Sequence, residues 1–387
     1  MNDFIYSYPV KVYFGTDAAK KAISQELGKY GKHVMLAYGG GSVKKSGVYD
    51  TVRGMLEDAG KEIVDFSGIM PNPTYAKVQE GADLAREKQI DFILAVGGGS
   101  VIDCCKIISA QAKTEKDIWE MEFTDHEYPT EFIPMGAVVT ASGTGAEMNN
   151  GAVITHEEKK IKTGVMGASA VFAALDPAYT MTLPIKQVIS GAFDTLSHCM
   201  ETYFGSPRTA NVSDEINEAV MRNVIRNLWL LAENPEDTYA RRELMWDSAM
   251  AENGILKIGK ITDFQAHMIE HQLGAYTDCN HGCGLAVIHP VLYRHIYKEA
   301  VERFAHFAEC VWSVSPVGKT RDEVALEGIR QLEDFIRAIG LPTNFRELGI
   351  QTDDKLLKAV AESSNIQAGC CKTLTPEEIF EILQECQ

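Results

Sequence analysis

The tetrapeptide GGGS occurs twice, in LAYGGGSVKKSG (36–47) and in LAVGGGSVIDCC (94–105), each time behind a short apolar run and ahead of a helical pattern. Strand, glycine turn and helix in that order constrain the first part of the chain to an α/β fold with a mainly parallel sheet. The strands are read at KHVMLAY (32–38), EIVDFSG (62–68), FILAVGG (92–98) and FIPMGAVV (132–139), with helices at 48–60 and 75–89 between them. The opening FIYSYPVKVYFG (4–15) alternates and contains Pro9, so it reads as an edge strand or hairpin.

After LDPAYTMTLP (175–184) the pattern becomes long helical periodicity to the C-terminus. The sequence therefore predicts two domains: a Rossmann-like α/β domain over 1–180 and an all-α domain over 181–387. Formal net charge is −17, which disfavours a general affinity for nucleic acid or an anionic membrane surface. Any phosphate must then be held locally, so Lys44 and Lys45 beside the first loop are noticeable. The N-terminus lacks the features of a signal peptide and no stretch has membrane-span length, so a cytoplasmic protein is expected. Nine cysteines, among them the adjacent pairs Cys104-Cys105 and Cys370-Cys371, show no disulfide-like spacing and suit reduced thiols.

A glycine run leading into a helix lets backbone N–H groups approach an anion without an intervening Cβ. Gly39, Gly40, Gly41 and Ser42 form one such loop, and Gly97, Gly98, Gly99 and Ser100 the other. Neither fits GxGxxG or GxxxxGK[ST], because Lys44 and Ile102 stand where a third glycine would be; a plain strand-to-helix turn explains either loop taken singly. Their surroundings differ. Asp103 follows the second loop and can accept from a sugar hydroxyl, whereas two lysines follow the first and no acid appears before Asp50, the pattern of a site for a 2′-phosphate. A third segment, VVTASGTGAEMNNGAVI (138–154), carries hydroxyls at Thr140, Ser142 and Thr144.

Asp194 and His198 stand four residues apart, as do His267 and His271, and His281 follows in a glycine-flanked turn. On helices each pair shares a face. One such pair is usually a structural contact; two pairs and a loop histidine in one helical domain point to a divalent metal. Two patterns are read as decoys: His306 and Cys310 share the spacing, and Cys279, His281 and Cys283 alternate, but without paired CxxC spacing Cys279 and Cys283 are packing or loop residues.

YPVKVYFG, PNPTY, GGGSVID, TASGTGAEMN, DTLSH, HMIEHQLGA and HGCGLAVIHP occur in an order and spacing that covers nearly the whole chain. In this the sequence resembles the iron-containing, group III alcohol dehydrogenases, within them the NADPH-dependent butanol dehydrogenase and aldehyde reductase branch. The resemblance implies a dehydroquinate synthase-like arrangement, with cofactor and metal in a cleft between the two domains. It implies Asp194, His198, His267 and His281 as ligands of one Fe2+ or Zn2+, and His271 as a catalytic group beside nicotinamide and substrate. It places the diphosphate at Gly97 to Ser100, the ribose near Asp103 and the adenosine end at the first loop, where NAD-preferring relatives carry Asp at the position of Gly39. Asn72, Thr140, Thr144, Asn149, Lys162 and Thr182 are further cofactor positions. Ala146 and Gly284 depart from common family residues, with packing effects only.

The expected activity is NADP(H)-dependent interconversion of a small alcohol and aldehyde by a homodimer whose N-terminal edge strands pair. The alternatives are a glycerol-type polyol dehydrogenase, a sugar-phosphate cyclase, or a non-catalytic nucleotide or metal sensor on the same fold.

Overall fold

A computed structural model describes residues 2–208, 211–366 and 371–387; Cys370 lies outside the described residues. They form two compact units, Ser7–Leu183 and Pro184–Gln387, the second joined by the N-terminal residues to Tyr6. The sequence expectation drew the boundary at 180 and kept the N-terminus with the α/β domain. In the structure Asn2 N–H donates to Gly259 O at 3.1 Å, which ties that end to the helical unit.

In the α/β unit the strands are β1 (Lys11–Phe14), β2 (His33–Tyr38), β3 (Glu62–Phe66), β4 (Phe92–Gly97), β5 (Met135–Val139), β6 (Gly151–His156), β7 (Ile161–Met166) and β8 (Phe172–Leu175). The helices are α1 (Ala18–Glu26), α2 (Ser42–Lys45), α3 (Val48–Asp58), α4 (Tyr75–Glu87), α5 (Gly99–Gln111) and α6 (Ile118–Phe123). Six strands pair in the order β1-β8-β5-β4-β2-β3, all parallel. Central β4, β5 and β8 are buried at every residue, as strands covered on both faces must be, while β1 at the edge is only partly covered. Val34, Leu36, Phe92, Leu94, Val138 and Phe172 pack on Ala18, Ala19, Ala22 and Leu56 of two helices to make one core.

The chain leaves β2 outward to β3 and returns on the other side to β4. The order reverses between β2 and β4, and the two GGGS loops follow those two strands. In an open α/β sheet this switch point is where a ligand crevice forms. The antiparallel pair β6-β7, outside the main sheet, and β8 were not separate sequence expectations.

The helical unit contains α7 (Ile185–Tyr203), α8 (Val212–Glu233), α9 (Thr238–Glu252), α10 (Gln265–Thr277), α11 (His281–Ile296), α12 (Val301–Trp312), α13 (Arg321–Ala338), α14 (Phe345–Leu348), α15 (Asp354–Ser363) and α16 (Pro376–Glu385). Their starts are legible: Thr320 with Glu323 and Thr375 with Glu378 form capping boxes, the second with Pro376 as first helical residue. Among the described residues no helix is long and apolar enough to cross a membrane, and the cysteines are unbridged.

Edge strand β1 is pinned to the end of α1 by one carboxylate. Buried Glu26 accepts from Lys11 Nζ at 2.8 Å, from Tyr13 OH at 2.6 Å and from Lys29. The hydrogen bonds from Lys11 and Lys29, then that from Tyr13, lower its pKa from the usual 4.5 to about 2. A depressed carboxylate stabilises the fold above its unfolded pKa, and the contribution disappears as pH falls through the folded value. Glu26→Gln is thus expected to lower stability at neutral pH by about 1–3 kcal/mol. It should also flatten the loss of stability between pH 4.5 and about 2, as read by urea unfolding across that range.

Candidate active site

In the helical unit three imidazoles converge on one carboxylate oxygen. Asp194 Oδ1 lies 3.3 Å from His267 Nε2, 3.4 Å from His281 Nε2 and 3.8 Å from His198 Nε2. Asp194 and His198 share a face of α7, His267 lies on α10, and His281 is the first residue of α11 rather than part of a free turn. Asn280 caps that helix by accepting Cys283 N–H at 3.0 Å, which fixes the start on which His281 stands. Gly282 permits the approach of α11 to α7, since a Cβ there would lie 2.1 Å from Ser190 O.

Two carboxylates that the sequence reading did not single out lock two of these rings. Glu201 bonds to His267 Nδ1 and Glu270 to His281 Nδ1. With Nδ1 engaged, each ring directs Nε2 toward Asp194, the arrangement by which carboxylates orient metal-binding histidines. Glu201 also accepts Ala266 N–H at 2.6 Å, so a charge from α7 satisfies the N-terminus of α10, whose own N-cap residue Phe264 makes no side-chain cap. His198 lacks such a lock: its buried Nδ1 makes no hydrogen bond, and its ring is placed by stacking on His267 at 4.6 Å. That accounts for its longer distance to Asp194.

Burial opposes the charge on Asp194, but His198 and His281 hold its pKa well below the carboxylate range. Burial likewise opposes protonation of His267 and His281, and the carboxylates override it, Glu201 for the first and Glu270 for the second, both with Asp194. At His198 burial wins and the pKa falls. Donor atoms of Asp194, His267 and His281 lie within 4.8 Å of one another. Nitrogen and oxygen donors around a tetrahedral ion stand about 3.3 Å apart. The set therefore fits a divalent cation, with Asp194 Oδ1 and His267 Nε2 buried and otherwise without a hydrogen bond. His271 is buried on α10, its ring 5.4 Å from that of His281. Cys279 and Cys283 do not enter the donor group; Cys279 Sγ turns to Glu270 at 3.8 Å.

In the α/β unit the two glycine loops differ in kind. Gly99 begins the 13-residue helix α5, and a Cβ on it would stand 2.4 Å from Thr144 Oγ1. Gly98 meets Ala141 similarly at 3.0 Å, so the second loop is packed against the third glycine segment. Gly40 and Gly41 have open space where a Cβ would stand, and α2 behind them has only four residues. The longer helix offers the stronger N-terminal dipole to an anion at Gly97 to Ser100. At the first loop Lys44 Nζ is held over the rings of Tyr38 and Tyr49, 5.0 and 4.6 Å from their centroids.

Asp103 is committed to the fold more than its sequence position implies. Its Oδ2 accepts Val153 N–H at 2.9 Å, and its Oδ1 lies 3.6 Å from the fully buried Lys106 Nζ. Lys106 in turn donates to Asn149 Oδ1 at 2.9 Å and Gly151 O at 2.6 Å, fixing one of the expected cofactor positions. Thr140 N–H donates to Gly97 O at 2.9 Å, and Thr144 Oγ1 accepts Ala146 N–H at 3.3 Å. Lys162 is buried in β7, Thr182 is exposed in a turn, and Asn72 holds a left-handed φ of 50° between two prolines.

Loss of a carboxylate behind a metal-binding histidine typically weakens ion affinity about 10–100-fold. Glu270→Gln and Glu201→Gln should each do so with the helical content retained, as measured by metal content after dialysis against a graded chelator. Unchanged affinity in both variants would remove the orienting role.

Comparison with known proteins shows the family. Residues 9–177 match the family model described as iron-containing alcohol dehydrogenase, and residues 188–386 match the model of the family's C-terminal domain. The chain is 36% identical to NADH-dependent butanol dehydrogenase A of Clostridium acetobutylicum, with all of both chains covered. It is 34% identical to NADPH-dependent aldehyde reductase YqhD of Escherichia coli, with 95% of each covered. The crystal structure of NADH-dependent butanol dehydrogenase A from Thermotoga maritima superposes with a TM-score of 0.93 at 32% identity, covering 100% of this chain and 99% of that one. The chain belongs to the iron-containing alcohol dehydrogenase family, oxidoreductases acting on CH–OH donors.

Proposed function

We propose that this chain interconverts a small alcohol and its aldehyde with NADP(H), holding one Fe2+ or Zn2+ on Asp194, His198, His267 and His281. The observation that carries the reading is the convergence of three Nε2 atoms on Asp194 Oδ1, two of them with Nδ1 locked by a carboxylate. A bound divalent ion would supply Lewis acidity toward the substrate oxygen. The chain's own groups bind and orient around that chemistry. Glu201 and Glu270 keep the imidazoles aimed, and burial strengthens the charge interactions among them. His271, on the same helix as His267, is the group assigned to pass the alcohol proton to and from solvent.

On the α/β unit, Gly97 to Ser100 at the head of α5 are assigned to the diphosphate, with Thr140, Thr144, Asn149 and Lys162 around them and Asn72 and Thr182 as outer contacts. Asp103 supports the ribose end while tying α5 to β6. The first loop, Gly39 to Ser42 with Lys44, takes the 2′-phosphate: no carboxylate stands between β2 and Asp50, and a tethered cation does. The relatives' names include both NADH and NADPH dependence, so the cofactor comparison is decisive. NADP(H) use favours aldehyde reduction in cells. β1 at the sheet edge, with Tyr8 exposed shortly before it in the chain, supports a homodimer paired along that edge.

Butyraldehyde reduction with each cofactor tests the proposal. NADPH should give the higher kcat/KM, and Lys44→Ala should raise KM for NADPH about 10-fold, with NADH little affected. Equal efficiency with both cofactors contradicts the preference. Gly39→Asp should move preference toward NADH, although its Cβ would stand 3.0 Å from Ile69 O and requires a small shift there. His267→Ala or His198→Ala should lose both bound metal and turnover; retention of both contradicts the ligand assignment.

A further inference from the structure

A second group of unlike donors lies elsewhere in the helical unit. His306 and Cys310 stand one turn apart on α12, and the fold brings Glu218 of α8 to them. One donor atom from each lies within 4.8 Å of the others. His306 Nε2 is 3.2 Å from Glu218 Oε1 and 3.5 Å from Cys310 Sγ. A tetrahedral ion with metal–nitrogen and metal–oxygen bonds near 2.0 Å and a metal–sulfur bond near 2.3 Å sets these edges at about 3.3 and about 3.6 Å. The donors thus stand close to coordination spacing before any ion is added.

We propose that Glu218, His306 and Cys310 form a second cation site, thiolate-containing, for a borderline divalent ion of the Zn2+ class. A soft sulfur beside imidazole and carboxylate selects such an ion over Mg2+ or Ca2+. Carboxylate and thiolate together cancel its charge, which matters because Glu218 is only 4% exposed. The imidazole is 39% exposed, leaving a water-accessible fourth position. Binding replaces the thiol proton: the S–H bond breaks, an S–metal bond forms, and one proton passes to solvent. Without the ion, burial and the adjacent Glu218 push the thiol up to about 11, so it stays protonated at neutral pH. Tyr203 OH donates to Glu218 Oε1 at 2.9 Å and aims the carboxylate. Arg222 Nη1 lies 4.0 Å from Glu218 Oε2 and donates to Cys310 O at 3.0 Å, a nearby positive charge that moderates affinity. The ion would clamp α8 to α12. The site shares no residue with the Asp194 centre, whose assigned ligands include no sulfur.

Sulfur makes the two sites separable by spectroscopy. Co2+ is titrated into the metal-loaded enzyme under a phosphine reductant, and the near-ultraviolet thiolate-to-cobalt charge-transfer band is followed. The expected result is a band saturating at one equivalent per chain, unchanged in Cys283→Ser and absent in Cys310→Ser. In Glu218→Gln it should require at least ~10-fold more Co2+, the scale of losing one charged ligand. Butyraldehyde turnover of Cys310→Ser should match that of the parent enzyme. No band, or a band that survives Cys310→Ser, overturns the proposal.

Discussion

Three helices of the helical unit, α7, α10 and α11, answer to one costly placement, the Asp194 carboxylate buried at 2% exposure among imidazoles. An unpaired charge there would cost several kcal/mol, so positive charge must be supplied at Oδ1. Without an ion, His267 and His281 provide for it: Glu201, Glu270 and Asp194 draw both imidazoles toward the protonated form. A bound cation would take over that role and release their protons. Either way α7, α10 and α11 must present Nε2 atoms to a common point. The backbone meets that demand with α10 entered and left through left-handed residues, Phe264 at φ 57° and Asp278 at φ 53°, conformations that few side chains other than Asn and Asp adopt readily.

The α/β unit applies a different constraint. A ligand crevice forms where strand order reverses, and here the glycine loops stand at that reversal. Gly99 is required by the protein itself, because its helix start packs on Thr144, and the same close packing presents α5 N–H groups at the strand's end. Gly40 and Gly41 carry no such packing duty. Two copies of one tetrapeptide therefore do different work, one as a packed helix start and one as an open turn beside a tethered lysine.

Much of this was legible in the chain. Short apolar runs located β2 to β5, and period-3.6 patterns the main helices, because both are local signals. Asp194, His198, His267, His271 and His281 could be grouped because the first four fall into i,i+4 pairs. Glu201 and Glu270 could not be assigned, although each stands three residues beyond one of those histidines: a carboxylate on a helix reads as a solvated face until the partner helix is in place. Asp103 was read toward a nucleotide because its burial depends on β6, whose start lay inside what reads as a glycine loop. Glu218 was invisible beside His306 and Cys310 for the same reason, since α8 brings it from far along the chain.

The central claim is that one divalent ion sits where the three Nε2 atoms and Asp194 Oδ1 converge. Anomalous diffraction from crystals of the enzyme as purified, recorded on both sides of the iron and zinc absorption edges, tests it directly. The account predicts a single strong peak about 2.0–2.2 Å from Asp194, His198, His267 and His281, with His198 drawn in from its 3.8 Å separation from the carboxylate. An enzyme active on butyraldehyde with no peak at that point, or with the ion held by other residues, would contradict it.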